Sequence, residues 1–411
     1  MNAEQEHQPS EGTLQPGLAH RRWPRYAVGF VLIALLALSS THLRVALSSA
    51  VFLNEIFPDA PAYPGRWVTE EPTRTFVQFR HEDTYKPALL YRPGRAECGG
   101  GIVLYIGLGP EYGDAHLDRL GRAFSRNGYS VLIPMSEPMI DYRLSAEEHD
   151  IAVSAFTSLQ QQSNVNPERV GMFGISVGGA VVVNAAQQPE IQDSVRMVHS
   201  LGGFFDASQV LAQMSLRAYQ VDGEWHEWEP SATTFRATRN SLVPLLPSED
   251  RSALWELFGK DETEIPSDLT PEGHALASVL TNRDPSRVDK LLGELPPVQK
   301  EFLDAISPAG DIDQLTTSIL LLHDRNDHVL PYSESVSLAN RAEEVDADVR
   351  LTLLDHFHHV RPDQDVGIWS QARDATRLYR HIFAMHWTMD DRGVFTSPLD
   401  LLPFVDRPDS C

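Results

Sequence analysis

Between Ile102 and Leu201 short apolar runs alternate with helical stripes, and that alternation constrains the fold of this chain more than any other feature. Ile102 to Ile106 (IVLYI), set between glycines, reads as a buried central strand. Leu117, Leu120, Ala123 and Phe124 recur at helical spacing, and Ser130 to Ile133 is the next strand. Ser145 and Glu148 stand as a capping box before the stripe Ala152, Ala155, Phe156 and Leu159. Val170 to Phe173 is a strand, Val181 to Ala186 a small-residue helix and Arg196 to Leu201 another strand. Two earlier strands, Thr75 to Arg80 and Ala88 to Tyr91, lead into the series. Such an order predicts an α/β fold, a mostly parallel central sheet with helices on both faces.

The rhythm stops over 206–310, where Pro, Trp and acidic residues accompany helical patches (Ala253 to Leu257, Val288 to Leu292) and no strand pair is evident. That stretch reads as an inserted helical cap. The alternation resumes with Ser318 to Leu322, a helix after Pro331 and the strand Val349 to Leu354. A last helix presents Ile368, Ala372, Ala375, Tyr379, Ile382 and Phe383 on one face. The core therefore falls into 73–205 and 311–387, divided by the cap, with a loop-like tail over 388–411.

The N-terminus is of another kind. Residues 1–25 read as a disordered cytoplasmic tail. Tyr26 to Leu43 carries no charged residue when His42 is neutral, and Arg21, Arg22 and Arg25 precede it. At about 1.5 Å per residue this run spans about 27 Å, enough for a bilayer core. The basic flank predicts a membrane anchor with the catalytic body outside the cytoplasm. A cleaved signal peptide and secretion is the alternative, and a buried or interfacial helix the third reading. Pro58, Pro61, Pro64 and Pro72 mark 54–72 as an extended linker.

Over 411 residues the formal net charge is −23, which opposes binding to nucleic acid phosphate. Cys98 and Cys411 make no disulfide framework and no cysteine-based zinc site, and a bridge between them requires the tail to fold back.

Gly174-Ile175-Ser176-Val177-Gly178, with Gly179 next, follows a strand and precedes a helix. That context turns a common G-x-S-x-G string into a candidate nucleophile elbow, with the Ser176 hydroxyl raised above the sheet at the positive end of a helix. With this motif the stretch 73–387 resembles the α/β-hydrolase superfamily, esterases and dienelactone hydrolases in particular. The resemblance implies that an acid and a histidine follow the nucleophile in chain order. His323-Asp324-Arg325-Asn326-Asp327-His328-Val329-Leu330-Pro331 is similar to the family's H-G-x-x-D-x-x-V/L-P pattern, with Asp324 where glycine is common. The match implies Asp327 as the acid, with Asp324 as rival and Asp206 as an outside candidate. The last strand leads into Asp355-His356-Phe357-His358-His359, and the family spacing implies His359 as the base, ahead of His358 and His356. The oxyanion donors implied are the backbone N–H groups of Val177 and of Leu108, within Gly107-Leu108-Gly109-Pro110.

The function expected is a serine hydrolase cleaving a carboxylic ester through an acyl-enzyme, without cofactor or metal. A small serine peptidase or thioesterase of the same fold is the alternative, and a catalytically silent membrane-tethered binding protein a third. Tyr219, Trp225, Trp228 and Phe235 in the cap are read either as pocket lining or as the cap's own core.

Overall fold

The computed structural model describes residues 40–57, 63, 65–95, 98–258, 264–357 and 368–389. Its centre is an eight-stranded sheet. The strands are β1 (Thr73–His81), β2 (Thr84–Arg92), β3 (Gly99–Tyr105), β4 (Tyr129–Pro134), β5 (Val165–Ile175) and β6 (Met197–Leu201). A separate hairpin, β7 (Ala218–Val221) and β8 (Glu224–Glu227), intervenes before β9 (Ser318–Asp324) and β10 (Val349–Leu354). Across the sheet the order is β1-β2-β4-β3-β5-β6-β9-β10. Strand β2 pairs antiparallel with both β1 and β4, and every other pairing is parallel. This mostly parallel sheet, covered on both faces, is the architecture that the alternation of the sequence predicts.

The two faces read out the alternation of each strand. Val103, Tyr105, Val170, Met172, Ile319 and Leu321 belong to one core, with α3 (Glu148–Gln160) and α4 (Val177–Ala186). Ile102, Leu104, Phe173, Leu320 and Leu322 belong to the other. There they meet α1 (Thr41–Ile56), α2 (Ala115–Arg126) and the last helix, α11 (Ile368–Met389).

Several expectations change. The stretch expected as a membrane span, 26–43, lies outside the described residues up to position 39. Thr41, His42 and Leu43 are the first turn of α1, which packs on α11 and α2. Asn54, Glu55 and Ile56, placed in the linker by the prolines that follow, are its last turn. Phe52 lies 4.8 Å from the Phe124 ring, Ser49 Oγ 3.1 Å from His386 Nδ1, and Tyr379 donates to the Ala46 carbonyl. No helix of the described residues is long and apolar enough to cross a membrane. On α11 the buried face is Leu378, Ile382, Met385 and Met389, whereas Ala372 and Ala375 are exposed.

The capping box does not form. Glu148 begins α3 but turns inward, where its carboxylate accepts from Ser136 Oγ at 2.6 Å and from the Tyr105 hydroxyl. A buried carboxyl with two hydroxyl donors has no reason to reach back to a solvent-side amide. The region expected to lack strands contains the β7–β8 hairpin, closed by Asp222-Gly223 at φ 53° and 82°. An Asp-Gly pair with both residues left-handed is the preferred two-residue hairpin turn. Cys98 is disulfide-bonded, contrary to the expectation of no bridge. Separation along the chain does not restrict which thiols a fold brings together; the sequence's other cysteine, Cys411, lies outside the described residues.

The cap is built from α5 (Ala207–Leu216), the hairpin, α6 (Ala232–Leu242), α7 (Arg251–Leu257), α8 (Pro271–Leu280) and α9 (Pro297–Ile306). It is tied to loops at the C-terminal ends of strands. Ser231 N donates to the His328 carbonyl at 2.7 Å, Thr234 Oγ1 to the Val329 carbonyl at 2.7 Å, and Leu144 N to Ser241 Oγ at 2.9 Å.

Candidate active site

Ser176 sits between β5 and α4 at φ 56° and ψ −133°. A non-glycine residue in that region costs about 1–3 kcal/mol and persists only where its surroundings enforce it. Here they do. Ser176 N donates to the Leu201 carbonyl and Gly179 N to the Ser176 carbonyl, both at 2.7 Å. A Cβ on Gly178 would stand 2.3 Å from the Tyr105 carbonyl oxygen, so β3 and the turn approach as closely as glycine alone permits. The Ser176 hydroxyl makes no capping bond to α4 and borders a cavity of about 830 Å³.

Leu108 and Val177 border the same cavity. A Cβ on Gly107 would lie 3.1 Å from Ser176 Oγ, which places the loop after β3 directly beside the hydroxyl. Among the described residues the N–H groups of Leu108 and Val177 donate to no acceptor. Val177 is also the first residue of α4, where the helix leaves its amides unpaired.

Asp324 and Asp327 are both buried at the end of β9. Asp327 Oδ1 accepts from Val329 N at 2.7 Å and Leu330 N at 3.1 Å, and Oδ2 lies 3.3 Å from His323 Nε2. That ring nitrogen also lies 3.1 Å from the Leu330 carbonyl, an acceptor only, so Nε2 carries the proton. Trp228 Nε1 donates to the Asp327 carbonyl at 3.0 Å and covers the loop from the cap side. Asp324 accepts from Asn326 N at 2.6 Å and from Phe357 N, which joins it to the histidine loop. His358 and His359 lie outside the described residues. His356 is described; its Nδ1 lies 3.1 Å from Asp374 Oδ2 on α11. Asp206 is a helix cap, accepting from Ser208 N at 2.8 Å and Gln209 N at 3.2 Å at the start of α5.

In the cap, Tyr219 is buried with its ring edge-on to Tyr332, Trp228 is buried over the Asp327 loop, and Trp225 is 51% exposed. None of the four cap aromatics borders the cavity; Leu242, Leu303 and Thr234 do so instead. Two contributions escaped the sequence reading. Phe52, Ile56 and Phe57, at the end of α1, border the cavity from the opposite side. The spacing Val45, Ser49, Phe52, Ile56 is helical, but it follows an apolar run that draws the eye to a membrane reading. His199, on β6, also borders the cavity, with its ring stacked on Phe173 at 3.9 Å. Burial holds its pKa well below the ordinary histidine value, so it is neutral; its Nε2 lies 2.8 Å from His381 Nε2.

No family model matches the sequence, and no curated protein does. Solved structures do match it in shape. An acylaminoacyl peptidase from Pyrococcus horikoshii is 13% identical with a TM-score of 0.49, over 77% of this chain and 42% of that one. A puromycin-hydrolyzing peptidase from Mycobacterium tuberculosis is 15% identical with a TM-score of 0.47, over 82% and 42%. A dienelactone hydrolase-like promiscuous phosphotriesterase, P91, from metagenomic libraries is 11% identical with a TM-score of 0.43, over 77% and 99%. The chain thus spans about two fifths of the length of the first two. A likeness at this level carries nothing about chemistry.

Proposed function

We propose that this α/β-hydrolase-fold chain is a serine hydrolase that cleaves a carboxylic ester, with Ser176 as nucleophile. The observation that carries the reading is the strained Ser176 backbone, which presents a hydroxyl to a cavity beside the amides of Leu108 and Val177. Strain of this kind at a polar residue facing a cavity is a mark of a functional site.

In the proposed reaction Ser176 Oγ attacks the ester carbonyl while His359 takes its proton. The oxyanion is held by the Leu108 and Val177 N–H groups. The C–O bond to the alcohol breaks, and the alcohol leaves with the proton from His359. Water, deprotonated by the same histidine, then attacks the acyl-enzyme and releases the acid and free Ser176. Asp327 orients the histidine and stabilises its charged form. Its match to the motif, its burial and the two amides that fix its carboxylate support that role.

The test is labelling with a fluorophosphonate probe and turnover of p-nitrophenyl esters by the wild type and Ser176→Ala. Expected are labelling and turnover by the wild type, and loss of both in the variant by about three orders of magnitude or more. Turnover that survives Ser176→Ala sinks the assignment.

A membrane tether through the apolar run that precedes α1, with an extracytoplasmic body, completes the proposal. The disulfide at Cys98 supports an oxidising compartment. Extraction of the native chain at alkaline pH checks it, since a spanning anchor stays with the lipid and a cleaved or interfacial segment does not.

A further inference from the structure

The cavity at Ser176 is far larger than hydrolysis of a small ester requires. At about 830 Å³ it stands near the top of the usual range for ligand sites, and an acetyl ester would leave most of it empty. Its wall is drawn from both hydrophobic cores. Leu211 and Leu242 come from the cap side, and Phe52 and Leu378 from beneath α1 and α11. Among the described residues no lysine or arginine borders it, so these residues offer no fixed cation to a carboxylate or phosphate on the substrate. Of the acidic groups on its border, Glu111 is exposed to solvent, and Asp114 is half-buried and engaged as the cap of α2, accepting from His116 N at 2.7 Å and Leu117 N at 3.2 Å.

From this geometry we infer that the substrate is a neutral ester carrying a long aliphatic chain, and that α1 sets how much chain is accepted through Ile56 and Phe57. The inference rests on the proposed hydrolysis at Ser176 and leaves its chemistry unchanged: the ester and one water give an aliphatic acid and an alcohol. The physical basis is transfer of methylenes from water to an apolar wall, which favours binding by a nearly constant increment per carbon until the wall is reached. The helix that ends at Ile56 lies outside the alternating strands and helices of the hydrolase core, yet it is docked firmly through Phe52. Ile56 and Phe57 are only partly buried, as expected of side chains that face an open space rather than close packing.

The experiment is a series of p-nitrophenyl esters from acetate to dodecanoate, with alanine p-nitroanilide alongside, on the full chain. Expected is a rise in kcat/KM of about fourfold per methylene until the cavity fills, and little turnover of the anilide. Ile56→Trp, which intrudes on the chain, is expected to lower the dodecanoate-to-acetate ratio by about tenfold or more. Phe57→Ala, which opens the same end, is expected to move the optimum to a longer acyl chain; it decides the matter if Ile56→Trp does not fold. A flat chain-length profile, a preference for the aminoacyl anilide, or unchanged profiles in the folded variants would overturn the inference while Ser176-dependent turnover stands. Absence of Ser176-dependent turnover and of fluorophosphonate labelling would instead sink the hydrolase reading beneath it.

Discussion

Ser176 and the two aspartates at the end of β9 differ in how their surroundings bear on the proposed chemistry. Ser176 occupies a backbone region that L-residues avoid, and three strands crowd the turn that holds it there: β5 leads in, β6 accepts its amide, and β3 leaves no room for a side chain at Gly178. The motif singles out this serine as the candidate nucleophile because the glycines that such a turn requires lie next to it in the chain. The acid is harder to identify because two carboxylates lie within one loop and both accept backbone amides. Their surroundings predict different outcomes. Asp327→Asn keeps the carbonyl oxygen that can accept from Val329 and Leu330 but removes the charge, and kcat is expected to fall by up to about 10⁴-fold. Asp324→Asn alters the tie to Phe357 and is expected to show mainly in stability, with a much smaller loss of kcat. Ester turnover and urea unfolding of both variants separate the two, and the reverse ranking would make Asp324 the acid.

At the scale of elements, α1 is the instructive one. Its Phe52 is 1% exposed and packs against Phe124 and His386. A helix attached this way belongs to the folded body. Phe52→Ala is therefore expected to cost about 3–5 kcal/mol by urea denaturation, against less than 1 kcal/mol for a substitution on a dangling leader. A small effect would show that α1 docks only loosely. The central strands β3, β4 and β9 were legible because each is a short apolar run with two buried faces. Helix α3 was legible too, but not its start, since Glu148 turned out to serve Ser136 and Tyr105 in the interior. Burial raises the Glu148 pKa, opposed by the hydrogen bonds from Ser136 and Tyr105.

Across the whole molecule, Glu334 links the two parts of the chain that the cap divides. It lies at the start of α10 (Ser333–Glu344), after the cap, and accepts from Phe205 N at 3.1 Å and Asp206 N at 3.0 Å, before it. Gln213 of the cap donates to its other oxygen at 3.0 Å. Burial pushes its carboxyl from an ordinary 4.5 up to about 7, against the lowering effect of the amides of Asp206 and Phe205. Between those values the folded state holds a proton that the unfolded chain has released, so stability falls as pH rises through that window. Below it both states are protonated, above it both are ionised, and the effect levels off. Urea unfolding from about pH 4.5 to about pH 8 is expected to show this fall in the wild type and a flatter profile in Glu334→Gln. Parallel profiles would show that the carboxyl ionises freely in the fold.

The sequence by itself determined the α/β class, the strand ladder on both sides of the cap and the placement of a serine on a strand–turn–helix elbow. These follow from local patterns, apolar runs bounded by glycine and a turn that few residues can make. Only the tertiary structure decided that α1 walls the cavity, that Tyr219, Trp225, Trp228 and Phe235 do not border it and that Glu148 is buried. It also decided that Cys98 is bridged. Each of these depends on contacts between residues far apart in the chain, as when Ser49 meets His386 or Phe52 meets Phe124. Periodicity records that a side chain is apolar, and the fold alone chooses which surface it meets.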